Sequence, residues 1–128
     1  MSSTLTELRD QIDHIDQSII QALPLGGEDE DYLDTVLGLT SEDKEMLRST
    51  RLYFSQRVCE LLGERMQISH QIGEAKRGEG RIEMIDEERK NIMIQSRVAW
   101  APKHLRKQVK NLYHAIHDIS VRIQQQTY

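Results

Sequence analysis

The stretch Glu64-Arg65-Met66-Gln67-Ile68-Ser69-His70-Gln71-Ile72-Gly73-Glu74-Ala75-Lys76 decides how this chain is to be read. Arg65 and Lys76 stand eleven residues apart, close to three full α-helical turns, so both cations project from one helical face. Ile68, Ile72 and Ala75 share that face and would otherwise form a plain core stripe. A cation inside an apolar stripe is costly to bury unless something negative meets it. Either residue alone could run its methylenes along the core and hold its charge in water. Stacked along one buried face, the two point to a pocket for a small polyanion.

Working upstream, Leu61, Val58, Phe54 and Leu47 continue the same stripe, and Gly63 weakens the helix without having to stop it. Thr40-Ser41-Glu42-Asp43 reads as a helix start, with hydroxyl caps and acids in the first turn. The pattern therefore predicts one helix from there to Lys76, about 50 Å long. Before it, Leu5, Leu8, Ile12, Ile15, Ile19, Ala22 and Leu23 predict an amphipathic helix over 5–23, closed by Pro24 and Gly26-Gly27. The acidic stretch 28–39 has room for one short helix around Tyr32 to Leu37.

Downstream, Gly78 and Gly80 mark a loop over 77–82. A middle helix follows from Glu83 to Val98, with Met84, Ile85, Ile92 and Ile94 as its apolar content. Trp100-Ala101-Pro102 breaks the chain again before a last helix over 103–126, with Leu105, Val109, Leu112, Ile116, Ile119 and Ile123 inward. The architecture expected is all-α, one domain over 1–128. The longest helix exceeds what the shorter ones can cover, which predicts a homodimer that buries the excess.

Composition agrees. Aromatics make up 5% and there are only two prolines, too few turn and strand formers for a β architecture. A net charge of −4, with acids interspersed among the bases, argues against nucleic acid as a partner. Cys59 stands alone, so no internal disulfide is possible, and the His114/His117 pair lacks a third metal ligand at clear spacing. No apolar run of membrane length and no leader pattern appear, so the reading is a soluble, cytoplasmic protein without membrane association. Two neutral polar residues, Ser120 and Gln124, sit at i, i+4 on the otherwise apolar last helix and need partners. Asp86 and Arg89 form an i, i+3 pair on the middle helix.

Leu8-Arg9-Asp10-Gln11-Ile12-Asp13-His14-Ile15-Asp16, the Arg65–Lys76 block, Asp86-Glu87-Glu88-Arg89, Ser120 and Gln124 together resemble the all-helical class of chorismate mutases, over about 90 of the 128 residues. The resemblance implies an intertwined helical dimer that rearranges chorismate, a small dicarboxylate, to prephenate in aromatic amino acid biosynthesis. It implies no metal, no cofactor and no covalent intermediate. In the roles it suggests, Arg65 and an arginine near the start of the long helix clamp the substrate carboxylates, assisted by Arg89 and Ser120. Asp86 meets the ring hydroxyl, and Lys76 and Gln124 donate to the ether oxygen of the breaking bond. Such a rearrangement needs no nucleophile, only a compact conformer and stabilisation of charge developing on that oxygen.

Two departures stand out. The family places a glutamate directly after the arginine of the middle helix, where this chain has Lys90. Its first block also runs straight into the arginine block, whereas some 39 residues intervene here, an insertion spanning about 24–60. If 41–76 is one unbroken helix, Arg48 stands 17 residues before Arg65, about 25 Å along the axis, and takes the second clamp. If the insertion folds the chain back, Arg9 takes it. Two rival functions go with these departures: isochorismate pyruvate lyase, against which Ser120 argues, and a non-catalytic helical dimerisation or ligand-sensing module.

Overall fold

The computed structural model describes residues 4–23, 31–78 and 87–126. Among the described residues there are five α-helices: α1 (Leu5–Ala22), α2 (Ser41–Arg48), α3 (Gln56–Gly78), α4 (Glu87–Trp100) and α5 (Arg106–Gln126). Short 3₁₀ turns at Leu33–Thr35 and Lys103–Leu105 precede α2 and α5, and no strand occurs among the described residues. No described helix is long and apolar enough to cross a membrane.

Helix α1 lies antiparallel to α3. Leu5 and Leu8 pack with Ile68 and Ile72, while Asp16, three turns further along α1, bonds Arg65, nearer the start of α3. Ile19, Ile20 and Leu23 then join Leu61, Leu62 and Met66 in the main core. The face of α5 completes that core with Val109, Leu112, Tyr113 and Ile116, all fully buried. Thr4 caps α1 by accepting the Glu7 backbone N–H, satisfying one of the donors a helix start leaves unpaired.

The unbroken helix expected over 41–76 does not form; it is interrupted at 49–55. The cause is local. Ser49 and Thr50 turn their hydroxyls back onto the carbonyls of Met46 and Leu47, each at 2.6 Å, competing with the helical ladder. Arg51 then adopts φ 62°, a left-handed conformation that ends the helix. Ser55 restarts it by accepting the Val58 N–H on its hydroxyl. The stripe from Leu47 to Val58 is thus shared by two helices, both of which bury it.

The inserted segment closes on itself. The Tyr32 N–H donates to the Phe54 carbonyl at 2.9 Å, so the ends of 32–54 meet and the chain leaves close to where it arrived. A capping box joins Thr40 and Asp43, and Arg122 of α5 donates to the same Asp43 carboxylate, docking α2 onto α5. With the insertion folded this way, α1 turns back over α3. Helix α3 buries Val58, Leu62, Arg65, Ile68, Ile72 and Lys76 against elements of its own chain. The single helix of about 50 Å on which the expectation of a partner copy was based is thus replaced by two shorter ones.

The expected middle helix is α4. Positions 83–86, including Asp86, lie outside the described residues. Ile92, counted in the apolar content of this helix, is 61% exposed. The inward face of α4 is instead set by Met93, Ile94 and Arg97, with Lys90 at its edge.

Ile19 is completely buried. We expect Ile19→Ala to cost about 2–5 kcal/mol in urea unfolding, the range for deleting most of a buried aliphatic side chain. A loss below about 0.5 kcal/mol, typical of surface positions, would mean that α1 does not belong to the core.

Candidate active site

Arg65 and Lys76 are both buried on one face of α3, at 3% and 4% exposure, and the structure supplies the partners their burial demands. The Arg65 Nη1 donates to Ser120 Oγ at 2.7 Å, and the Lys76 Nζ donates to Gln124 Oε1 at 2.7 Å. Ser120 of α5 therefore faces Arg65 of α3, and Gln124 faces Lys76. Ser69 lies one turn beyond Arg65, completely buried, with its hydroxyl unpaired among the described residues.

The negative charge that meets Arg65 comes from α1. Asp16, at zero exposure, accepts from Arg65 Nε at 2.7 Å and from Nη2 at 3.2 Å, a bidentate fork. A second buried cation, Arg97 of α4, reaches the same carboxylate through Nε at 3.0 Å and Nη2 at 2.8 Å. Arg97 also donates to Asp13 at 2.6 Å and stacks on the Trp100 ring at 4.7 Å. Burial alone would push the Arg65 guanidinium down. The charge of Asp16 and its hydrogen bonds outweigh burial and hold it above its ordinary value. Tyr113, its hydroxyl 3.5 Å from the Asp16 carbonyl, is pushed well above the usual phenol range by burial and then by Asp16.

Asp16 and Arg97 were not among the residues singled out from sequence. The signal was present: Asp16 interrupts the stripe Ile12, Ile15, Ile19 just as Arg65 interrupts its own, and Arg97 stands one turn from Met93 and Ile94. An acid in one buried stripe and a base in two others pair on folding.

The remaining candidates divide. Arg9 is partly buried on α1, flanked by Leu5, Leu8 and Ile12, at the level of Ile68 and Ile72 between the two cations of α3. Arg48 belongs to the insertion: at 43% exposure it forks onto Asp31 at 2.7 and 2.9 Å, which raises its pKa further. Its place along a continuous helix toward Arg65 is lost with the break at 49–55. Arg89 is exposed on α4, whereas Lys90 is partly buried. Lys90 lies near enough to His117 of α5 for its charge to act on the imidazole. His117 Nδ1 is buried without a hydrogen-bond partner among the described residues, its nearest acid being Asp118 at 3.8 Å. Among those residues no three His, Cys, Asp or Glu side chains are grouped to hold a metal. Cys59 is buried in the core, and burial pushes its thiol up to about 12.

Four helices thus form two buried polar pairings, Arg65 with Asp16, Arg97 and Ser120, and Lys76 with Gln124. Residues 55–125 match the family described as Chorismate mutase type II. The match covers more than half of the chain and begins beside the first residue of α3, and the protein belongs to this family. It contains Arg65, Lys76, Asp86, Arg89, Lys90, Ser120 and Gln124; Arg9, Asp16 and Arg48 precede it. No curated protein and no solved structure matches the chain.

Burial, and then the Lys90 charge, lower the His117 pKa below its ordinary 6.5. The unfolded chain then takes up the proton first, so the contribution of His117 to stability is complete above about pH 6.5 and is lost as pH falls through its folded value. Lys90→Glu exchanges a repelling charge for an attracting one. It should move the imidazole titration, followed by NMR, upward and soften the loss of stability on acidification. An unmoved titration would remove Lys90 from the surroundings of His117.

Proposed function

We propose that the protein is a chorismate mutase, rearranging chorismate to prephenate in a pocket between α3 and α5. The observation that carries this reading is the facing of Arg65 by Ser120 and of Lys76 by Gln124 within the family-matched segment. Arg65 presents a planar fork suited to a carboxylate, with Ser120 beside it. Arg9, on the helix folded back across α3, clamps the second carboxylate. Asp86, Arg89 and Ser120 assist in binding, and Lys90 stands where the family's glutamate would accept from a ring hydroxyl.

Lys76 and Gln124 act on the ether oxygen. The amide oxygen of Gln124 accepts from Lys76, so the amide nitrogen is the end that serves as donor. An ammonium and an amide N–H aimed at one oxygen form a preorganised electrostatic site in low-dielectric surroundings, where the carbon–oxygen bond breaks as the new carbon–carbon bond forms. Because both are held by packed helices, little reorganisation is needed at the moment of reaction. The arginine clamps supply the compact conformer, removing rotational freedom before the barrier is met.

Purified protein should convert chorismate to prephenate, followed by loss of chorismate absorbance and by product analysis. Formation of salicylate and pyruvate from isochorismate would favour the lyase reading. Inactivity on both would leave a ligand-binding module. Lys76→Ala should lower kcat by on the order of 10²-fold, the scale of losing one transition-state donor. Arg9→Ala should raise KM, whereas Arg48→Ala, which removes only a surface fork, should leave kcat/KM unchanged and stability within about 0.5 kcal/mol. The opposite pattern for the two arginines would return the clamp to Arg48.

A further inference from the structure

We infer that Asp16 is the positioning residue of this site, setting which edge of the Arg65 guanidinium meets substrate, and that Arg97 keeps the arrangement attractive to an anion. This rests on the mutase reading and extends it to two residues that touch no substrate.

A guanidinium carries five N–H donors in a rigid plane. Asp16 takes the side edge of Arg65, Nε with Nη2, and Ser120 takes one N–H of Nη1. Three donors are therefore engaged, and the two N–H groups that remain, one on Nη1 and one on Nη2, lie away from Asp16. A ligand carboxylate can use only those two N–H groups. Without Asp16 the guanidinium could turn about its last side-chain bonds and offer either edge, so the carboxylate would bind in more than one pose. Asp16 removes that freedom because it is itself immobile, fully buried and held by four hydrogen bonds.

One difficulty follows and is answered by Arg97. A carboxylate paired one-to-one with Arg65 would cancel the charge that draws the substrate. Arg97 shares the same carboxylate, leaving two guanidinium groups against one buried acid, with Asp13 55% exposed and screened by water. The triad therefore remains positive toward the pocket while Arg65 stays oriented. A purely structural triad would tie α1, α3 and α4 together equally well, so the test has to separate orientation from stability.

A double-mutant cycle on the full chain does so. Asp16→Asn preserves shape but provides one acceptor oxygen instead of two. In the wild-type background it should lower kcat/KM by on the order of 10²-fold, mainly through KM, the scale of a misplaced binding group. In an Arg65→Lys background, where no planar fork remains to be oriented, Asp16→Asn should have almost no further effect on kcat/KM. Equal fold-losses in both backgrounds, in protein shown folded by circular dichroism, would overturn the inference.

A measurement on wild-type protein covers variants that fail to fold. The Arg65 Nε–H resonance should be slow to exchange and should not move on saturation with chorismate, because that edge belongs to Asp16. A large shift on binding would show the substrate taking the edge from Asp16 and would overturn the inference. Wild-type protein that neither binds nor converts chorismate would overturn the mutase reading and this inference with it. Turnover with equal losses in both backgrounds would overturn this inference alone.

Discussion

The carboxylate of Asp16 is completely buried because four N–H donors from two arginines meet it, and the helices must take the positions that allow this. Losing one partner of such a group leaves an uncompensated charge in the core, typically costing about 3–5 kcal/mol. That penalty sets α1, α3 and α4 at one level relative to each other, and Ser120 ties α5 to the same point through Arg65. Apolar burial alone would tolerate sliding of one helix along another. A charge met on both edges does not. The geometry of the candidate site therefore rests on an interaction that lies behind the residues expected to touch substrate.

The insertion matters for the same reason. Asp16 reaches Arg65 of its own chain because the chain reverses direction between α1 and α3. Hydroxyls at Ser49 and Thr50, a left-handed Arg51 and the Ser55 cap stop and restart the helix, while the Tyr32–Phe54 hydrogen bond closes the excursion. Three acids of the segment are paired: Asp31 and Asp34 hold Arg48 and Lys44, and the buried Asp43 holds Arg122. This is why Arg48, well placed along an imagined continuous helix, serves the insertion instead. Lys90 lies near enough to His117 for its charge to add to burial in lowering the imidazole pKa.

Much of this was legible in residue order. Periodicities of three and four located α1, α3 and α5, because each buries one continuous stripe and local propensity agrees with that burial. Arg65, Lys76, Ser120 and Gln124 could be chosen because each interrupts a stripe, and on folding they meet in pairs. On α4 the apolar content does not reveal the inward face, and Ile92 is exposed, since a short helix with scattered apolar residues has two faces of similar character. The break at 49–55 was overlooked because Leu47, Phe54 and Val58 keep helical spacing across it; the weak Ser49-Thr50 and Ser55 signals decide it.

By itself, then, the sequence determined the helices, the polar residues each would bring inward, and membership of a family whose pattern runs through 55–125. Those follow from local spacing and from the cost of burying charge, both readable within a few turns of chain. Only the tertiary structure decided which acid meets which base. Asp16 and Arg65 are 49 residues apart, and Asp16 and Arg97 are 81 apart. Electrostatic pairing depends on distance in space, and spacing along the chain carries no record of it until the insertion has turned α1 back on α3.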